Sequence, residues 1–200
     1  MLSKLKGFFL RIIMLVKFVV AIVKTANQEQ HDATPIISAK MNELFGDIDI
    51  DNLNDCYEAD IQIDGSNKEI DLNFESTSIE KSMLKNTSNV ISNIDNMAQQ
   101  AFTAISEDYD LGEESETARD YLEHHLDVLP KEDLLSIFGN TEVSKELFMN
   151  ALSLYRIGLF PEDDESFAIF DVQFSRDVTN YLMAVTFDSS GKLSYISMDS

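Results

Sequence analysis

The sequence predicts an α+β fold in which an antiparallel sheet, made of an N-terminal hairpin plus a C-terminal meander, packs against a central group of helices. Apolar and polar residues alternate at both ends of an acidic region, over residues 57–74 and 157–198. Between these stretches, apolar residues recur at helical spacing. Strands, then helices, then further strands are typical of α+β domains. A hydrophobic content of 44% is sufficient for a core.

The first alternating stretch predicts a β-hairpin with strands over residues 57–64 and 68–74. The turn between them contains Gly65, and short hairpin loops favour glycine. The side chains expected to face the core are Ile61, Ile63, Ile70, Leu72 and Phe74. Those expected to face solvent are Asp60, Gln62, Asp64, Glu69, Asp71 and Asn73.

The middle of the region predicts helices, and its end predicts strands. Helical spacing runs over residues 79–107 and again over residues 115–128, where an acidic start suits a helix N-terminus. Pro130 suits the first turn of a short helix that Gly139 ends, and Ser144 caps a further helix. The strands of the meander are predicted at residues 157–160, 167–174, 181–187 and 192–198.

Charge is distributed unevenly along the chain. The formal net charge is −21, yet residues 1–40 carry six bases and two acids, whereas residues 41–200 carry nine bases and 34 acids. Nucleic-acid phosphates require Lys and Arg, so we expect no nucleic-acid partner. The single cysteine, Cys56, excludes an internal disulfide framework and fits a reducing compartment, which favours the cytoplasm.

Residues 1–24 form an apolar basic segment that contains the run GFFLRIIMLVKFVVAIV. Arg11 and Lys17 interrupt this run, and each would cost about 2.5–3.5 kcal/mol at the centre of a membrane-spanning helix. Three interpretations stay open: a helix lying on the membrane, a membrane span, and a non-native extension upstream of a start at Met41 instead of Met1. Membrane contact would attach the protein to the inner face of the cell membrane. Residues 25–40 are expected to be a linker, and residues 41–200 a single acidic domain.

Five stretches of this acidic domain carry a family resemblance. They are LFGDIDIDNL (44–53), EIDLNFE (69–75), YLEHHL (121–126), YRIGLFPEDDESFAIFD (155–171) and the terminal YISMDS. Together they resemble the bacterial domain-of-unknown-function (DUF) family two-thousand-and-four over residues 41–200. The resemblance implies a small acidic bacterial α+β protein without an assigned activity or catalytic residues. By analogy, similar small acidic domains often occur among toxin-neutralising proteins.

The first candidate site is an acidic frame that resembles a calcium-binding loop. Asp47, Asp49, Asp51 and Glu58 match positions 1, 3, 5 and 12 of an EF-hand. Asn52 replaces the glycine that position 6 requires, and Glu58 opens a strand instead of a helix. We therefore expect a solvated acidic turn whose intervening isoleucines point inward.

The second candidate site lies on the helix predicted at residues 115–128. Asp120, His124 and Asp127 share one face of this helix, so they are weak candidates for a divalent metal ion if another element adds a ligand. His125 lies on the apolar stripe with Tyr121 and is expected to be a hydrogen-bonded core histidine. No cofactor is expected.

The third candidate site is the acidic loop, which we define as Glu162, Asp163, Asp164 and Glu165. Four consecutive carboxylates repel one another and belong on a solvated loop. Such a cluster can also steer a basic protein towards its docking site. These four residues are therefore the partner-binding candidates.

Catalytic motifs are scarce in this sequence. Anionic neighbours such as Asp55 and Glu58 raise the pKa of a thiol, which disfavours Cys56 as a nucleophile, and no G-x-S-x-G or C-x-x-C motif occurs. We therefore expect a non-enzymatic protein-interaction module with a basic protein partner, in its concrete form an immunity-like, toxin-neutralising protein. The alternatives are a metal-binding or carboxylate-based enzyme and a membrane-tethered accessory protein.

Overall fold

A computed structural model describes residues 38–115 and 117–200 of the chain. The predictions for residues 1–24, and for most of the linker, lie outside these residues and stay predictions. The described residues form six α-helices and one six-stranded sheet, which confirms the α+β fold. None of these helices is both long and apolar enough to cross a membrane.

The first helix, α1, spans Ala39–Phe45 and begins before Met41. The Ser38 hydroxyl caps it by accepting a hydrogen bond from the Met41 amide at 3.2 Å. The Ser38 amide donates to Oγ of Ser88 at 2.6 Å, and the Met41 side chain is fully buried. The folded unit therefore includes residues 38–40, which the sequence assigns to the linker.

The predicted hairpin is confirmed. Strand β1 spans Cys56–Ile63 and strand β2 spans Ser66–Asn73, and the two pair antiparallel. The turn consists of Asp64 and Gly65, whose φ values are 49° and 74°. Positive φ at both central residues is the requirement of a type I′ turn, whose twist matches that of the strands. The turn is shorter than predicted, since residues 66 and 67 belong to β2.

Five more helices follow the hairpin. They are α2 (Lys81–Ser92), α3 (Ile94–Asp110), α4 (Ala118–Val128), α5 (Lys131–Phe138) and α6 (Lys145–Ala151), with a 3₁₀ turn at Gly112–Glu114. The helical stretch predicted over residues 79–107 is divided at Asn93. The predicted ends are confirmed: Ser144 Oγ accepts from the Leu147 amide at 3.3 Å, and Gly139 ends α5 in the left-handed conformation.

The remaining strands complete the sheet. They are β3 (Ser153–Leu159), β4 (Ala168–Gln173), β5 (Leu182–Phe187) and β6 (Leu193–Asp199), and the strand order is β1-β2-β3-β4-β5-β6. All neighbouring pairs are antiparallel except β2 and β3, which run parallel. The expectation of an entirely antiparallel sheet is wrong at this pair, because α2–α6 form the long crossover that parallel strands need.

The two faces of the sheet differ in what covers them. The covered face forms a single apolar core with the buried side chains of the helices; its strand residues include Ile70, Leu72, Ile157, Phe170 and Val185. Alternate residues of each strand point the other way. The helices contribute their buried side chains to this core, and α1 borders the second face along β1, where Lys40 and Glu43 line a pocket with Glu58 and Asp60. We call this second face the open face and define it by Glu58, Asp60, Glu69, Asp71, Arg156 and Asp171.

Candidate partner-binding surface

A buried ion cluster lies at the centre of the open face. Arg156 of β3 lies between Asp71 of β2 and Asp171 of β4. Its guanidinium donates to both carboxylate oxygens of Asp71, at 2.5 and 2.8 Å, and to Asp171 at 3.0 Å. Asp71 is only 8% exposed and Asp171 only 6%. The prediction that Asp71 faces solvent is therefore wrong, because a guanidinium from the neighbouring strand covers it.

The electrostatics of the cluster reflect burial and pairing together. Burial lowers the pKa of Arg156, but the hydrogen bonds and charges of Asp71 and Asp171 outweigh it and raise that pKa above the ordinary value. Burial raises the pKa of Asp171, an effect that the hydrogen bond and charge of Arg156 oppose. The arginine is therefore permanently charged, and its presence favours the ionised form of Asp171 against the effect of burial.

Gly158 provides the space that the cluster occupies. A Cβ atom at this position would lie 2.9 Å from the Phe160 ring and 3.1 Å from Nη2 of Arg156. Both side chains therefore lie over the glycine, on the open face. Phe160 directly follows β3 and precedes the acidic loop, so its ring brings the loop close to the ion cluster.

Exposed carboxylates surround the cluster. Glu58, Asp60 and Glu69 are all exposed. Glu69 accepts a hydrogen bond from the Tyr155 hydroxyl at 2.6 Å, and the Arg176 guanidinium lies 3.5 Å from the centre of the Tyr155 ring. This part of the surface thus carries six carboxylates, Asp177 included, against the guanidinium groups of Arg156 and Arg176 and the ammonium group of Lys68.

The structure divides the acidic loop into two halves with different roles. Glu162 accepts hydrogen bonds from the backbone amides of Glu75 and Ser76, at 2.5 and 3.2 Å. Burial alone would raise the pKa of Glu162, but hydrogen bonding by the Ser76 side chain and by these two amides outweighs it and lowers that pKa below the ordinary value. Asp163 accepts from the amides of residues 165 and 166, both at 2.9 Å. Glu162 and Asp163 therefore hold the loop in shape through hydrogen bonds to backbone amides, whereas the exposed side chains of Asp164 and Glu165 make no such bond to a described residue.

Beside the acidic loop lies a cavity of about 580 Å³, which we call the loop groove. Its apolar floor consists of Phe74, Phe160 and Ile169, and its rim consists of Glu75 and the acidic loop. Phe74 is buried, while the other two floor residues are half-buried and remain accessible. The groove and the open face meet at Phe160, whose ring lies over Gly158.

The calcium-loop candidate lacks the geometry of an EF-hand. Glu58 lies in strand β1, as the sequence predicts, so no helix follows the frame. Asp47, Asp49 and Asp51 are exposed, and the Asp51 amide donates to Oδ1 of Asp49 at 3.1 Å. Ile48 is buried at 8% exposure, which confirms the inward direction expected for it. The frame is an acidic surface turn.

The metal candidates on α4 do not converge. Asp120 and Asp127 are exposed, and the His124 ring packs on the Tyr181 ring at a centroid distance of 4.4 Å. Across residues 38–115 and 117–200, no three His, Cys, Asp or Glu side chains are placed to hold a metal ion together. Within the part of the chain that the structure describes, no second element supplies the additional ligand that the metal hypothesis requires.

His125 is a buried, hydrogen-bonded core histidine, as the sequence predicts. Its Nδ1 lies 2.6 Å from the carbonyl oxygen of Tyr121, and its Nε2 lies 2.8 Å from Oγ1 of Thr179. A carbonyl can only accept, so the ring donates from Nδ1 and accepts the Thr179 proton at Nε2. Burial lowers the pKa of His125, which keeps the ring neutral.

Cys56 is exposed at the start of β1. Burial and then the negative charges of Asp71 and Glu58 raise the pKa of its thiol above the ordinary value. The direction agrees with the effect expected of anionic neighbours, but Asp71 takes the place of the predicted Asp55 beside Glu58, and burial contributes most.

Comparisons with known proteins returned no match. No family model, no curated protein and no solved structure is similar to this chain at a significant level. The resemblance to the domain-of-unknown-function family therefore stays a prediction.

Proposed function

We propose that the protein is a non-enzymatic interaction module that binds a basic protein partner through its open face. The observation that carries this proposal is a sheet face rich in carboxylates, on which exposed Glu58, Asp60 and Glu69 surround a buried ion cluster. The surrounding domain is acidic throughout, with 34 acids against nine bases in residues 41–200. In its concrete form the module neutralises a cationic toxin, as immunity proteins do.

Charge complementarity supplies the physical basis. A surface with one dominant sign of charge steers an oppositely charged protein into encounter and makes association fast and sensitive to salt. Glu58, Asp60 and Glu69 are exposed and can pair with lysines or arginines of a partner. The buried carboxylates already pair with Arg156, so their role is to fix the shape of the face.

Affinity capture with the full chain as bait tests the proposal. Three bait proteins are compared: the wild type, an open-face variant and a control variant. The open-face variant carries Glu58→Gln, Asp60→Asn and Glu69→Gln; the control carries Glu107→Gln, Glu123→Gln and Glu142→Gln. All six carboxylates are exposed, and the three control residues lie outside the sheet. Both variants thus remove the same number of charges.

A basic protein, retained in a stoichiometric amount and released by a salt gradient, is the expected result with the wild type. The control variant should retain it to a similar salt concentration, and the open-face variant should release it at clearly lower salt. Equal retention by the two variants would show that general acidity, and not the open face, attracts the partner. Recovery of no basic protein would overturn the proposal itself.

A further inference from the structure

The loop groove combines two properties that seldom occur together on a strongly acidic surface. Its floor is apolar, made of Phe74, Phe160 and Ile169, and carboxylates surround it. A surface that served only solubility would gain nothing from half-buried aromatic and aliphatic side chains at the base of a cavity. A volume of about 580 Å³ lies within the roughly 300–1,000 Å³ typical of ligand pockets.

The rim of the groove is pre-organised. Glu162 ties the acidic loop to the backbone that follows β2, and Asp163 closes the turn within the loop. The backbone carbonyl of Asp164 accepts from the Ser189 amide at 2.9 Å, and the carbonyl of Glu165 accepts from the Ser194 hydroxyl at 3.0 Å. The loop is therefore fixed at both ends, and binding need not order it.

Three carboxylates remain available on this fixed rim. Glu75, Asp164 and Glu165 are exposed, and no hydrogen bond or ion pair to another described residue involves their side chains. A cationic head group can therefore pair with them. The apolar floor beside them can take an alkyl or aromatic group that enters with the cation.

We propose that the loop groove receives a segment of the basic partner in which an apolar side chain lies next to a lysine or arginine. This inference rests on the proposed function and adds the chemistry of the segment that is recognised. Lysine and arginine carry long apolar stems below a charged head, so such a segment matches both the floor and the rim. The floor gives specificity for the apolar neighbour, and the rim gives charge selectivity.

Two labelled peptides of equal charge test the inference directly. One has the sequence Lys-Phe-Lys-Gly-Lys-Phe-Lys and the other has glycine in place of each phenylalanine. Fluorescence anisotropy measures the affinity of each peptide for the full chain. We expect the phenylalanine peptide to bind at least about tenfold more tightly, because burying an aromatic side chain exceeds the free energy of a tenfold difference.

Variants of the floor and the rim separate the two contributions. Ile169→Thr alters the floor without changing charge, so it should reduce the preference for phenylalanine and leave the glycine peptide unaffected. Asp164→Asn with Glu165→Gln alters the rim and should weaken both peptides several-fold. Glu107→Gln with Glu123→Gln removes the same charge from the helical layer and serves as the matched control. Circular dichroism confirms that each variant is folded, and Asp164→Asn alone replaces any rim variant that is not.

Three results would overturn the inference. They are equal affinity for the two peptides, equal effects of the rim and control variants, and no binding of either peptide. Its failure is distinct from failure of the proposed function. If the captured basic partner is lost by the open-face variant but retained by both Ile169→Thr and the rim variant, the interaction module stands and the groove has no part in it.

Discussion

The two faces of the sheet differ in the charge that they bury. On the covered face, buried polar side chains such as Thr117 and His125 are neutral, and both make hydrogen bonds. On the open face, three charged side chains, Asp71, Arg156 and Asp171, pair with one another. A helical layer excludes water, so burying an unpaired charge beneath it would cost much free energy. The open face tolerates these buried charges because Arg156 pairs with both carboxylates.

This difference determines what each face can contribute. The covered face supplies a core of apolar side chains and sets the stability of the fold. The open face supplies carboxylates, two of which, Asp71 and Asp171, a central arginine holds in place. Rigidity reduces the ordering that binding requires, so the ion cluster benefits recognition even where it adds little stability.

Removal of the central arginine should give the largest effect. Arg156→Met leaves Asp71 and Asp171 buried without a cation, and breaking a buried pair in this way costs about 3–5 kcal/mol. Urea denaturation followed by circular dichroism measures the loss. The loss should shrink as the pH is lowered, because the isolated carboxylates then take up protons.

Arg176→Met is the matched control for this experiment. Arg176 is exposed and packs on the Tyr155 ring, a contact worth about 0.5–1 kcal/mol. Equal losses of unfolding free energy in the two arginine variants would show that Arg156 stabilises the fold no more than an exposed arginine does. Adding Asp71→Asn and Asp171→Asn to Arg156→Met should recover part of the loss.

The sequence predicts the direction of side chains on the sheet better than their environment. Alternation correctly places Asp71 on the face opposite Ile70 and Leu72, but it says nothing about Arg156, which reaches Asp71 from another strand. That contact depends on the parallel register of β2 and β3. Five helices separate these strands in the chain, so no local pattern encodes the register. A charged residue between two apolar ones, as in Ile70-Asp71-Leu72, is the only local signal.

Local patterns succeed where a contact is made within one element. The helical stripe of α4 identifies His125 as a core residue, and the caps at Ser144 and Gly139 are read from single residues. The acidic loop shows the opposite case. Its four carboxylates look equivalent in the sequence, but Glu162 bonds to the backbone of Glu75, which is 87 residues away. The division between structural and accessible carboxylates therefore appears only in the folded chain.

Crowding above Gly158 should give the second largest effect. Gly158→Ala forces the Phe160 ring and the Arg156 guanidinium apart, and overpacking of this kind costs about 1–3 kcal/mol. A double-mutant cycle with Phe160→Ala, measured by urea denaturation, isolates the cause. The cost of Gly158→Ala should fall clearly in the Phe160→Ala background. If Gly158→Ala costs the same stability in both backgrounds, the strain lies in the backbone, and contact between Phe160 of the groove and the ion cluster does not cause it.

The neutral network of the covered face should give the smallest effect, and only below neutral pH. Burial lowers the pKa of His125 below the ordinary 6.5, so the unfolded chain binds a proton there before the folded chain does. The free energy of unfolding should therefore fall as the pH drops through 6.5, by at most about 1.4 kcal/mol between pH 7.5 and 5.5, the limit reached when the folded chain takes up no proton at His125.

Denaturation of the wild type, His125→Asn and His124→Gln at these two pH values shows which histidine takes up the proton. His125→Asn removes the titrating group, so its own loss of stability with pH should be smaller by this amount. His124→Gln, which changes the half-buried neighbour on the same helix, should lose stability as the wild type does. If the pH dependence of stability disappears in His124→Gln instead, then His125 is not the group on the covered face that takes up the proton. The contrast between a neutral covered face and a charged open face would then rest on the arginine cluster alone.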